Sequence, residues 1–180
     1  MAIRHRSMYA ILGILNLAPS TGYEIKSYSD KVLAGFWNEN YGHIYPTLKM
    51  MLEEGLTEIV SSEKSKKKVR YGITEKGKQE LEAWLAEETL PTPIRSEFML
   101  KLLFSSSQPR ENVIRMMKEY KELHEKKVVI YRGMQQDLEQ NKDISNERMC
   151  FMNAVLRRGI MSDETVIRWC DETIEEISRG

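Results

Sequence analysis

The sequence predicts a mainly α-helical fold with a small β-hairpin wing: an N-terminal winged helix-turn-helix, then an all-helical C-terminal domain. Three observations carry this expectation. Before Gly55, apolar residues recur at helical spacing in three short stretches joined by polar loops. Between Leu56 and Thr74 the period drops to two on either side of a lysine-rich segment. Beyond Glu97 the pattern is helical, with no strand signal before the end of the chain.

Ser7 can cap a first helix that runs to about Leu17 and is stopped by Pro19. Thr21, with Glu24 three residues later, has the pattern of a capping box, and Ile25, Tyr28, Val32 and Phe36 give the second helix its buried side. The third helix lies in "NYGHIYPTLKMMLEEGL", Asn40 to Leu56. Ile44, Leu48, Met51, Leu52 and Leu56 form its stripe, and Gly55 suits a left-handed cap. "LTEIVSSE" and "KVRYGIT" read as paired strands, since Val69, Tyr71 and Ile73 alternate with Arg70, Gly72 and Thr74. Between them stands the basic cluster of Lys64, Lys66, Lys67, Lys68 and Arg70. Thr74 can then cap a fourth helix with Leu81, Trp84 and Leu85 facing inward.

"TLPTPIRSE", Thr89 to Glu97, reads as a joint and divides the chain into domains 1–88 and 89–180. A helix from near Pro109 to Gln140 carries Val113, Met116, Met117, Tyr120, Leu123 and Val128 at rough heptad spacing. After a break at "NKDISN", the last helix shows Met149, Met152, Val155, Leu156, Val166, Trp169 and Ile177. Long amphipathic helices without a sheet find a partner for their apolar faces.

Several function classes are excluded. No run reaches the roughly 18 apolar residues of a membrane span. The basic N-terminus before an apolar run looks superficially like a secretory leader, but the spacing of Met8, Ile11, Leu12 and Leu15 suits a helix packed on a domain. Cys150 and Cys170, both within helical patterns, read as buried thiols rather than a disulfide, which points to the cytoplasm. His5, His43 and His124 are scattered, and no phosphate loop, nucleophile elbow or metal-ligand spacing occurs. No catalytic residue, metal or cofactor is expected. A net charge of zero does not advertise a nucleic-acid partner, so the local cluster must carry that argument.

The third helix decides. Opposite its stripe it presents Gly42, Pro46, Lys49, Met50 and Glu53, with Tyr45 on the flank. Gly42 leaves the backbone approachable, and Pro46 in a first turn costs no hydrogen bond. The helix N-terminus suits a phosphate, while His43, Tyr45, Thr47 and Lys49 can reach bases or backbone. Tyr23 and Lys26 on the second helix, and Lys66, Lys67, Lys68 and Arg70 on the wing, would hold phosphates. The rival is a winged-helix module that binds protein, which has no need of Lys66–Lys68 beside an exposed Tyr-Pro turn.

"GYEI" (Gly22–Ile25), "GHIYPTLKMMLEEGL" (Gly42–Leu56) and "RYGITEKGKQEL" (Arg70–Leu81) resemble, in order and spacing, the PadR family of transcriptional regulators. The carriers are Ile44, Tyr45, Pro46 and Leu48, then Tyr71, Ile73, Thr74 and Gly77. The match departs at His43, where the family usually has a small residue. "LRRG" (Leu156–Gly159) followed by Trp169 is similar to the long-tailed branch, with its phenolic-acid regulators and the virulence activator AphA. The resemblance implies a homodimer joined through the C-terminal helices. It also implies double-stranded DNA with an inverted-repeat operator as partner, and repression relieved by a small aromatic effector. The alternative within this reading is an activator without small-molecule control. Tyr131, Met149, Met152 and Trp169 are the candidate effector residues, in a pocket between the winged helix and the tail.

Overall fold

The computed structural model describes residues 3–33, 37, 39–62, 69–89, 95–141 and 144–179. The chain forms two compact units, Met1–Pro91 and Thr92–Gly180. The first contains α1 (Ile3–Leu17), β1 (Ser20–Thr21), α2 (Gly22–Tyr28), α3 (Tyr41–Glu53), β2 (Thr57–Ser62), β3 (Val69–Ile73) and α4 (Glu75–Leu85). The three strands make an antiparallel sheet in the order β1-β3-β2. This is a winged helix, as expected, with an additional strand.

Ile11, Leu12 and Leu15 of α1, Ile25 of α2, and Ile44, Leu48 and Met51 of α3 form a core in which each is at most 2% exposed. Burying each such side chain is worth roughly 1.5–3 kcal/mol. Tyr9 stacks on Trp84 at 4.5 Å and donates its hydroxyl to Glu80 at 3.0 Å, fixing α4 against α1. Burial, and then Glu80, push the Tyr9 phenol up to about 12.

The local signals act as expected at most boundaries. Thr21 accepts from the Glu24 N–H while Glu24 accepts from the Thr21 N–H, closing the capping box. Gly55 adopts φ +70, a left-handed turn that ends α3 and leads into β2. Thr74 caps α4 by accepting from Gly77. Four expectations are corrected. Ser7 lies inside α1 and is buried, because the helix begins four residues earlier. Leu85, in the last turn of α4, is 67% exposed. The second helix widens after Tyr28 into a π-helical turn, Ser29–Leu33. Cys150 is exposed, whereas Cys170 is buried and its thiol is pushed up by desolvation.

The second unit contains α5 (Glu97–Leu103), a 3-10 turn (Ser105–Ser107), α6 (Arg110–Gln140) and α7 (Asn146–Arg179). The two long helices run antiparallel, since Lys121 pairs with Asp171 and, further along α6, Arg132 pairs with Glu164. Met117, His124, Val128, Tyr131 and Leu138 form the buried seam of α6, and Leu156, Asp163 and Cys170 that of α7. Steps of three, four and seven residues keep one side of each helix on its partner. Inside the seam, His124 Nδ1 and Asp163 Oδ1 lie 2.5 Å apart. No described helix is long and apolar enough to cross a membrane.

Candidate nucleic-acid interface

Asn40 caps α3, its Oδ1 accepting from the His43 N–H at 3.1 Å. The helix therefore starts at Tyr41, and Pro46 is its sixth residue rather than part of the first turn. Because proline has no N–H, the Gly42 carbonyl loses its donor four residues on. That carbonyl is tolerated because Gly42 and Pro46 are both on the exposed side.

Ile44, Thr47, Leu48 and Met51 turn inward. Thr47 is 5% exposed, so its expected place in a groove is corrected. It stands three residues after Ile44 and four before Met51, which puts it on the buried stripe. Gly42, His43, Tyr45, Pro46 and Lys49 are exposed, as expected of an outward face. Lys49 lies 3.8 Å from Glu53, with both side chains mostly in solvent.

Tyr45 is held in place rather than free. Its ring lies against the start of α2, where a Cβ on Gly22 would come within 2.7 Å of it. Its other neighbour is Tyr41, stacked with ring centroids 6.1 Å apart. Gly22 thus supplies the space by which the two helices of the motif fit together, and Tyr45 remains 48% exposed.

Of the phosphate candidates, Tyr23 stands out at 68% exposed at the start of α2. Lys26 is ion-paired with Asp30. Arg70, its side chain 41% exposed, is also engaged within the fold. Its Nη1 donates to the Pro19 carbonyl and its Nη2 to Glu24 Oε1, each at 2.6 Å. This strap ties β3 to the turn before α2. The Thr21 backbone N–H is the main influence holding the Glu24 carboxyl below its ordinary range, and Arg70 adds to it. Lys64, Lys66, Lys67 and Lys68 lie outside the described residues.

The residues assigned to an effector do not converge. Tyr131, Met149 and Met152 belong to one packed cluster with Leu138 and Leu156. Trp169 instead meets Phe98 edge-on, and Phe98 stacks on Tyr120 with centroids 3.6 Å apart. Met152 and Trp169 are seventeen positions apart on one unbroken helix, about 25 Å at 1.5 Å per residue. Sequence reasoning also passed over Trp37 and Glu39, just before α3. Trp37 Nε1–H donates to Glu39 Oε1 at 2.6 Å, and Glu39 is 1% exposed. A single acidic residue in a polar loop gives no warning that it is buried.

Residues 11–83 match the model of the transcriptional regulator PadR-like family, and residues 94–178 match that of the virulence activator alpha C-term. The chain is 30% identical to the negative transcriptional regulator PadR of Bacillus subtilis, over 95% of its own length and 97% of that protein's. It belongs to the PadR family.

The crystal structure of Bacillus subtilis PadR in complex with operator DNA superposes with a TM-score of 0.79 at 27% identity, covering 94% of this chain and 98% of that one. The same protein with p-coumaric acid gives 0.77 at 29% identity, covering 94% and 97%. The virulence activator AphA of Vibrio cholerae gives 0.75 at 26% identity, covering 96% and 98%. As a PadR-family member the chain is a DNA-binding transcriptional regulator and not an enzyme. In this PadR-family chain α3 is the second helix of the motif, the element that a helix-turn-helix places in the major groove.

Proposed function

We propose that the protein is a homodimeric cytoplasmic repressor that reads an inverted-repeat operator and leaves it when a small aromatic effector binds. The observation that carries this reading is the outward face of α3. Gly42, His43, Tyr45, Pro46 and Lys49 are exposed around a capped helix N-terminus, while every large apolar residue of the stripe is withdrawn. Tyr45 and His43 meet base edges, and Lys49, Tyr23 and Lys66–Lys68 meet phosphates. Two such helices related by a twofold axis reach half-sites about 34 Å apart or a multiple of that.

Dimerisation by residues 92–180 is supported by the apolar side chains that this unit leaves in solvent. Leu103, Phe104, Leu123, Val129, Ile130 and Phe151 are each more than half exposed. Repression is supported by the 30%-identical relative, itself a negative regulator, and an aromatic acid as effector by that relative's p-coumaric acid complex.

The test is selection of bound duplexes from a random DNA pool at two salt concentrations. Enrichment of an inverted repeat with half-sites one turn or a multiple apart is the expected result. Salt-sensitive binding with no enriched sequence would remove base reading by α3, and no binding would remove the reading altogether. Loss of Lys67 and Lys68 lowers the salt slope by roughly one for each contact, on operator and random DNA alike. A thermal-shift series with phenolic acids tests the effector, and no shift with any of them removes that part of the proposal.

A further inference from the structure

The entrance to α3 holds a buried carboxylate that base reading does not use. Trp37 satisfies Glu39 Oε1, and the Glu39 N–H donates to Ser29 Oγ at 3.1 Å. Glu39 Oε2 is buried and has no hydrogen-bond partner among the described residues. A carboxylate oxygen left buried and unpaired is costly. His43 Nδ1, one helical turn on, lies 3.8 Å from the Glu39 carboxylate, on a side chain that is 54% exposed. At 3.8 Å the pair is an electrostatic contact, roughly 1 Å longer than a hydrogen bond.

We infer that Glu39 and His43 form a dyad that makes DNA affinity depend on pH, with Glu39 as the positioning residue. The inference rests on α3 being the helix that faces DNA. Glu39 Oε2 takes the Nδ1–H of His43, which leaves Nε2 directed outward beside the exposed Gly42. Nε2 then meets one of the acceptors that DNA offers, a phosphate oxygen or the N7 or O6 of guanine, rather than an amino donor of adenine or cytosine. A ring donating from both nitrogens is the imidazolium, whereas in free protein the outer nitrogen meets water and needs no proton. The complex then holds one more proton per subunit than free protein and duplex. Affinity accordingly rises as pH falls.

Other charges near α3 have partners of their own. Glu24 pairs with Arg70, Lys26 with Asp30, and Lys49 with Glu53. Among the described residues, the acidic side chain within salt-bridge distance of His43 is that of Glu39.

The experiment is a titration of full-length wild type, His43→Gln and Glu39→Gln between roughly pH 6 and 8 at fixed ionic strength. The probes are the duplex enriched from the random pool and a scrambled duplex of equal length. The wild-type Kd is expected to rise with pH by up to about tenfold per unit for each bound subunit. His43→Gln should be flat, and Glu39→Gln shallower than wild type. A flat wild type, or a His43→Gln slope equal to that of wild type, overturns the dyad while α3 remains the reader. Loss of wild-type binding to both duplexes at every pH overturns the DNA-facing assignment as well. If Glu39→Gln does not fold, nitrogen NMR of His43 in the wild type decides. A neutral tautomer protonated on Nδ1 supports the dyad, and one protonated on Nε2 overturns it.

Discussion

The two units of this chain bury themselves differently. In residues 1–91 four helices and a small sheet enclose side chains that are wholly withdrawn, Ile11, Leu12, Ile25, Ile44, Leu48 and Met51 among them. In residues 92–180 two helices of 31 and 34 residues meet along a single seam. That seam includes the polar pair of His124 and Asp163, and large apolar residues remain outside it. Three layers can close a core, but two helices have only one contact line between them. The first unit leaves Ile59, Val60 and Leu85 outside a closed interior, while the second leaves large apolar side chains along both of its long helices.

The sharpest way to break this contrast is in the closed core. Leu48→Ala, which removes a side chain at 0% exposure, should cost about 2–5 kcal/mol in the denaturant unfolding of the winged unit. A loss below 1 kcal/mol would mean that this core is less closed than its burial indicates.

Next is the polar seam. Asp163→Leu leaves His124 buried without its acceptor and should cost about 1–3 kcal/mol. Replacing both residues by leucine should recover most of that loss, since a buried pair is weak evidence of stability while half of one is a defect. If the double variant were no better than the single, the pair would be contributing more than mutual satisfaction.

Tyr9→Phe should cost about 1 kcal/mol at neutral pH, the value of one hydrogen bond. The pH dependence carries the sharper signature. The Tyr9 phenol is raised from 10.0 to about 12, so its contribution is complete below the lower value and is lost as pH rises to the upper one. Wild type should lose stability across that window more steeply than the variant, as followed by circular dichroism.

The smallest effect belongs to the strap. Arg70 and Glu24 are each partly in solvent, and Arg70→Ala should cost no more than about 1 kcal/mol. Glu24 sits below its ordinary value, so its contribution is present above that value and lost as acid takes the pH through the lowered one. The variant should show a shallower acid loss than wild type. An unchanged acid limb would leave the Thr21 cap as the whole cause.

Those predictions also mark what the sequence made legible. The capping box at Thr21 and Glu24, the left-handed Gly55 and the Thr74 cap are local, each written within a few residues, and local rules found them. Thr47 was misplaced although its position was readable from the stripe, because its hydroxyl invited a polar role. The structural bonds of Arg70 escaped notice because its partners are 46 and 51 positions away along the chain, which no pattern in its own strand reveals. β1, two residues long, is too short to show a period. The effector residues failed by distance, since composition marks aromatic and sulfur side chains but not which level of a long helix they occupy.

The seat of Tyr45 on Gly22 has a consequence for how such a protein can diversify. Pro46 and Lys49 stand clear of the core, so each can be exchanged on its own with little effect on the fold. Tyr45 is different, because any side chain added at position 22 displaces its ring, and a smaller ring leaves position 22 uncovered. A change at either site calls for a matching change at the other. New specificities are reached one residue at a time around that hinge point, and through it only by paired change.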